Sequence, residues 1–188
     1  MTQSHSGEPL AGPLAGLRVI EMGSLIAGPF CGQVLGDFGA EVIKLEDPKV
    51  GDPMRQWGRS KPKGLSPWWP VIGRNKKSVT IDLRTDEGRD IARALIAKAD
   101  VVVENFRPGT LEKWGMGYEA LAKTNPGLVM ARVSGFGQTG PTPSGPATPW
   151  SARPWAAFAT SPASQTAIRP GPASRSATAC RASTPPSA

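Results

Sequence analysis

The sequence predicts an α/β fold in which a parallel sheet carries helices on its faces and an irregular or disordered tail follows. Two observations predict the sheet. Short β-branched runs alternate along the chain with longer stretches of helical periodicity. The segment from Leu17 to Glu46 also has the strand, short loop, helix, strand order of a βαβ unit. A third observation sets the limit of the sheet. Residues 142–188 contain no Leu, Val, Asp, Glu or Lys, a composition that cannot build a packed core.

The elements follow in order. Leu17-Arg18-Val19-Ile20-Glu21-Met22 reads as a strand and Gly23–Gly28 as the loop after it. Pro29 suits the first turn of a helix from Phe30 to about Phe38, with Gly39 as its terminating residue. Glu41–Glu46 is the second strand. Residues 47–70 are irregular and rich in Pro, Gly, Lys and Trp, and a connection this long is usually functional. Trp68 and Trp69 within it suit either stacking on a flat ligand or covering the sheet edge. The cationic turn Gly73–Lys77 runs into a strand expected over Ser78–Leu83. Thr85 is the expected N-cap of a helix carrying Ile91, Ala94 and Leu95. Val101-Val102-Val103 is a buried parallel strand that ends in Asn105-Phe106. Short helices over Thr110–Trp114 and Tyr118–Lys123 precede a last strand, Leu128–Val133, and the glycine-rich loop Ser134–Gly140.

Composition excludes several functions. The chain of 188 residues has 22 Lys and Arg against 15 Asp and Glu, a net charge of +7. Such a balance fits an anionic ligand, a nucleic acid or a membrane surface. Its one histidine, His5, stands in a polar leader, which leaves no Ser-His-Asp, Cys-His or histidine-metal arrangement. No catalytic or metal-ligating residue is therefore assigned. Two cysteines give no disulfide framework, no apolar run spans a bilayer, and the leader lacks the pattern of a signal peptide, so the expected location is cytoplasmic. In a parallel sheet, ligands bind outside the carboxyl ends of the strands. The loops carrying Leu25, Ile26 and Ala27, then Arg74 and Lys76, then Asn105 and Phe106, are expected to converge there. Cations, an aromatic ring and backbone N–H groups at one rim suit a phosphorylated ligand bearing a base.

Together these segments resemble the class III CoA-transferase family, also called the CaiB/BaiF or formyl-CoA transferase family. The matching pieces are Leu14–Met22, Gly28-Pro29-Phe30-Cys31, Gly36–Glu46, Gly51-Asp52, Arg74–Leu83, Glu87-Gly88, Ala99–Gly109, Leu111, Gly115, Asn125-Pro126 and Ser134–Pro141. The resemblance implies a Rossmann-like coenzyme A domain over 14–141; composition sets off a flexible leader over 1–13 and a low-complexity tail over 142–188. It implies CoA contacts at Leu25, Ile26, Ala27, Ile81, Arg84, Asn105, Phe106, Thr110 and Lys113. It implies acyl-CoA and a carboxylic acid as substrates, no permanently bound cofactor, and neither nucleic acid nor membrane as partner. Full-length members form interlocked homodimers, which this chain is not expected to form. The sequence departs from the family at Asp47, where many members carry Arg; Lys49 stands two residues on.

The family mechanism uses an aspartate in a Gly-Asp-Ser-Leu-like motif, whose carboxylate attacks the acyl-CoA thioester. This chain has no Asp or Glu after Glu119, so it is expected to be inactive in transfer. Read one base out of frame, codons for Ala147 to Phe158 can encode Gly-Tyr-Ala-Leu-Val-Gly-Glu-Ala-Met-Gly-Gly-Leu, which resembles the family's continuation. Those for Ser174 to Ala179, with the adjoining base before them and the two after, can encode Ile-Ser-Ile-Gly-Asp-Ser-Leu, with the Asp spanning Ala177 and Thr178. The tail is therefore expected to be an out-of-frame product, which the gene sequence across Pro141 tests. The alternatives are an acyl-CoA racemase-type member of the same family and a non-catalytic CoA-binding or basic nucleic-acid-binding fragment. The offset Gly-Tyr, in place of Gly-His, favours the transferase.

Overall fold

A computed structural model describes residues 12–135, 137–139 and 181–182. Six strands form one sheet in the order β3-β2-β1-β4-β5-β6. They are β1 (Arg18–Glu21), β2 (Glu41–Glu46), β3 (Lys76–Thr80), β4 (Val101–Glu104), β5 (Val129–Arg132) and β6 (Arg181–Ala182). The first five are parallel, and β6 pairs antiparallel with β5. The helices are α1 (Ala27–Asp37), α2 (Trp68–Ile72), α3 (Asp86–Ile96), α4 (Thr110–Lys113) and α5 (Tyr118–Leu121).

Side-chain alternation builds three layers. Val19, Val42 and Val103 face one way, with Leu35 and Cys31 of α1 packed against them. Ile20, Val102 and Met130 face the other way, onto Ala92 and Ile96 of α3, Leu111 of α4 and Leu121 of α5. β4 lies between β1 and β5, which is why Val102 and Val103 are both fully buried. Local chemistry sets the helix ends. Thr85 Oγ1 accepts from Gly88 N at 3.1 Å, with Asp86 and Glu87 in the positive first turn of α3. Gly39 ends the α1 segment at φ +99°, a conformation that suits a residue without Cβ.

The structure departs from the sequence reading in four places. The first helix begins at Ala27, three residues before the proposed start at Phe30. β3 occupies Lys76–Thr80, earlier than the proposed Ser78–Leu83, because its register pairs Val42 with Lys76 and Glu46 with Thr80. A cross-strand ion pair between Lys77 and Glu41 belongs to that register. Within the tail read as irregular, Arg181–Ala182 adds a strand to β5, whose outer edge otherwise presents unpaired backbone groups. The remaining tail residues lie outside those described. Most consequential is the cationic turn Gly73–Lys77. Gly73–Asn75 precede β3 and Lys76–Lys77 are its first residues, so the turn lies at the amino edge of the parallel sheet, opposite the edge where the sequence reading puts it. Among the described residues, no helix is long and apolar enough to cross a membrane.

One close approach yields a prediction. A Cβ at Gly32, in the middle of α1, would stand 2.0 Å from Glu21 Oε2, which an ion pair to Lys76 holds in place. Gly→Ala inside a helix normally gains up to about 1 kcal/mol. Here Gly32→Ala is expected to lose about 2 kcal/mol, the cost of overpacking, read as a lower midpoint in urea unfolding. An unchanged or higher midpoint would overturn it.

Candidate functional site

The strand order places a switch point between β1 and β4. The chain leaves β1 through α1 toward β2, and returns from β3 through α3 to β4 on the other side of β1. The chain leaves β1 and β4 for helices on opposite faces of the sheet, α1 and α4, and the strand ends between them are the ligand position of such sheets. Asn105 ties the two loops together. Its Oδ1 accepts from Ser24 N at 2.8 Å and its Nδ2 donates to Ser24 O at 2.9 Å. A Cβ at Gly23 would lie 2.9 Å from that oxygen, so glycine is what lets the loops approach.

Beyond Ser24 the chain turns through Leu25 at φ +65° and enters α1. The first turn of α1 has no side-chain cap and no acidic residue of its own, and it starts at the carboxyl edge of the sheet. Ile26 and Phe30 are about half exposed beside it. A cavity of about 310 Å³ opens at the same edge. Met22, Leu45, Ile81 and Phe106 line it, with Asp82 and Arg84 among its charged residues. Phe106 meets Trp114, also a lining residue, edge to face, with ring centroids 5.4 Å apart and planes at 73°.

Under this cavity lies a buried charge cluster. Lys44 Nζ donates to Glu21 Oε1 and to Gly23 O, both at 2.8 Å, and pairs with Asp52 Oδ2 at 2.8 Å. Lys76 Nζ donates to Pro29 O at 2.6 Å and pairs with Glu21 Oε2 at 2.7 Å. All four side chains are at most 2% exposed. Two cations and two anions balance, which is how charge persists in a core. Burial pushes the Lys76 ammonium below its ordinary pKa, against the pull of Glu21. Next to the cluster, Arg55 holds Glu46 through two hydrogen bonds of 2.9 Å and stacks 3.8 Å above the Trp69 ring.

The residues proposed from sequence divide into four groups. Ile81, Arg84 and Phe106 line the cavity. Leu25, Ile26 and Ala27 form the neighbouring loop and the start of α1, and Thr110 and Lys113 belong to α4, which follows the Phe106 loop. Asn105 spends its amide on Ser24. Arg74 and Lys76 do not join them. Arg74 is bound to Asp37 at the end of α1, at the opposite edge of the sheet. Lys76 starts from that same edge, and its ammonium is buried against Glu21 and Pro29. Arg84 is also engaged, with Asp47 and Asp82 each 2.7 Å away, so the departure noted at Asp47 places a carboxylate on this cation. Sequence reading missed Lys44, Asp52 and Trp114. The first had a signal: a lysine inside an apolar strand.

The fold is a parallel α/β domain with helices on both faces of the sheet. The chain belongs to CoA-transferase family III, whose family model matches residues 14–169. It is 64% identical over 129 residues to the succinyl-CoA–D-citramalate CoA-transferase of Chloroflexus aurantiacus, covering 69% of this chain and 32% of that protein. It is 40% identical over 129 residues to the human succinyl-CoA:glutarate CoA-transferase, covering 69% and 30%. A crystal structure of a CaiB/BaiF family protein from Brucella suis superposes with a TM-score of 0.66 at 45% identity, covering 71% of this chain and 36% of that one. The chain thus spans about a third of the length of the relatives it matches.

Proposed function

We propose that residues 14–141 are the coenzyme A-binding domain of a CoA-transferase that moves CoA between an acyl-CoA and a carboxylic acid. The observation that supports this reading is the Asn105–Ser24 staple, which holds the loop leading into α1 against the loop that carries Phe106. Backbone N–H groups at the start of α1 suit a phosphate, and Phe106 suits the adenine. In transfer, a carboxylate attacks the thioester carbonyl and CoA leaves as thiolate, giving a mixed anhydride. The thiolate then attacks the enzyme's side of that anhydride and releases the first acid. A second acid takes up the CoA by the reverse route. The last carboxylate along this chain is Glu119, ahead of the segment where the family mechanism needs its aspartate, so the chain alone is expected to bind CoA without exchanging it.

Calorimetric titration with CoA, inorganic phosphate and duplex DNA tests the binding. Saturable binding of CoA, tighter than that of either control, is expected. Equal affinity for all three would sink the reading in favour of a general polyanion binder. The relatives named above use succinyl-CoA, which makes it the first donor to assay. No labelled CoA is expected to pass to an added dicarboxylic acid, and measurable turnover would overturn the inactive assignment.

A further inference from the structure

We propose that Asp52 is a positioning residue for the loop after β1, and that the long connection 47–67 is coupled through it to ligand binding at the switch point. This rests on reading the switch point as a CoA site. Leu25 has φ +65°, a region that an L-residue other than glycine, asparagine or aspartate seldom occupies unaided. Nothing local holds it there. Ile26 gives α1 no side-chain cap, and neither Gly23 nor Ser24 supplies an anchor to the Leu25 amide. The anchor comes from 27 residues away: Leu25 N donates to Asp52 Oδ1 at 3.1 Å.

Asp52 is built to keep that oxygen in place. Its side chain is 1% exposed. Oδ1 also accepts from Met54 N at 2.7 Å, and Oδ2 pairs with Lys44 at 2.8 Å. Its own N–H donates to Glu46 Oε2 at 2.8 Å, which fixes the backbone around the side chain. Lys44, in turn, holds Gly23 O. One carboxylate therefore grips the loop directly at Leu25 and indirectly at Gly23, on both sides of the Ser24 that Asn105 holds. If Leu25 is released, the start of α1 and the exposed Ile26 are re-aimed. The two oxygens have separable tasks: Oδ1 sets the loop, and Oδ2 balances the charge of Lys44.

That separation makes the proposal testable on the whole chain. Asp52→Ala removes both tasks, whereas Asp52→Asn keeps an oxygen for Leu25 and Met54 and loses the charge. The readouts are the Leu25 amide exchange rate by NMR, CoA affinity and melting temperature. Asp52→Ala is expected to speed Leu25 exchange and weaken CoA binding, each by about tenfold, the scale of one lost hydrogen bond. Asp52→Asn is expected to melt earlier than wild type while holding both quantities within about threefold of it. An affinity that falls in Asp52→Asn in step with its melting temperature would reduce Asp52 to a stability role. A Leu25 amide that exchanges in folded Asp52→Asn as fast as a free amide would also overturn the proposal, even if Asp52→Ala does not fold. If wild type binds no CoA, the functional reading fails and the exchange rates alone decide the positioning.

Discussion

Glu21→Ala is expected to cost about 3–5 kcal/mol, measured as the loss in unfolding free energy in urea. Glu21 separates two lysines that meet nowhere else: its Oε1 takes Lys44 and its Oε2 takes Lys76. Without it, two buried cations share one remaining carboxylate, Asp52, which touches only Lys44. Lys76 keeps a single neutral acceptor, Pro29 O. Domain stabilities are of order 5–15 kcal/mol, so the loss is a large part of the whole. The cause is charge, and a second variant checks that. Glu21→Leu combined with Lys76→Met leaves Lys44 with Asp52 and Gly23 O, a neutral remainder, and is expected to recover more than half of the loss. An equal loss in the double variant would mean that packing against α1 dominates. By contrast, Lys77→Ala at the exposed pair with Glu41 is expected to change stability by less than about 0.5 kcal/mol.

This cluster also shows what could be read from the sequence. β4 is legible because its valine run is apolar on both faces, as a central parallel strand asks, and Val102 and Val103 are fully buried on opposite faces. The position of Asn105 and Phe106 at the carboxyl edge is legible because a parallel strand's following loop must lie at its carboxyl end. The same rule read backward places Arg74 at the far edge, since its turn precedes β3. Counting cations without asking on which side of the strand they stand puts them in the wrong place. The charge cluster left a quieter signal. Glu21 and Lys44 each close on an apolar run, Val19-Ile20 and Val42-Ile43, where a solvated end would not need to be buried. Their partners could not be read. Asp52 and Lys76 reach them across residue separations that no periodicity encodes, and only the β2–β3 register brings Lys76 alongside β2.

Glu46 should give the domain an acid-labile component that a glutamine in its place removes. Burial alone would raise its pKa, but Arg55, the Ser78 hydroxyl and the Asp52 N–H outweigh burial and hold it down at about 2. An unfolded glutamate titrates near about 4.3. The folded value is the lower one, so the stabilisation is complete above the unfolded value and is lost as pH falls toward the folded one. Linkage puts the full contribution at about 3 kcal/mol. Unfolding free energies of wild type and Glu46→Gln are therefore expected to differ by about 3 kcal/mol at pH 7 and to converge as pH falls below about 4. Using the difference isolates Glu46 from the other carboxyls. Asp37, Asp82 and Glu112, lowered by arginine partners, act in the same direction, and Glu104, raised by burial, acts in the opposite one. A constant gap between the two proteins from pH 7 down to pH 3 would show that Glu46 acts through its shape and hydrogen bonds, with its charge contributing nothing. The position matters for the switch point as well. Glu46 accepts from the Asp52 N–H, so acid that neutralises Glu46 also loosens the residue that holds Leu25.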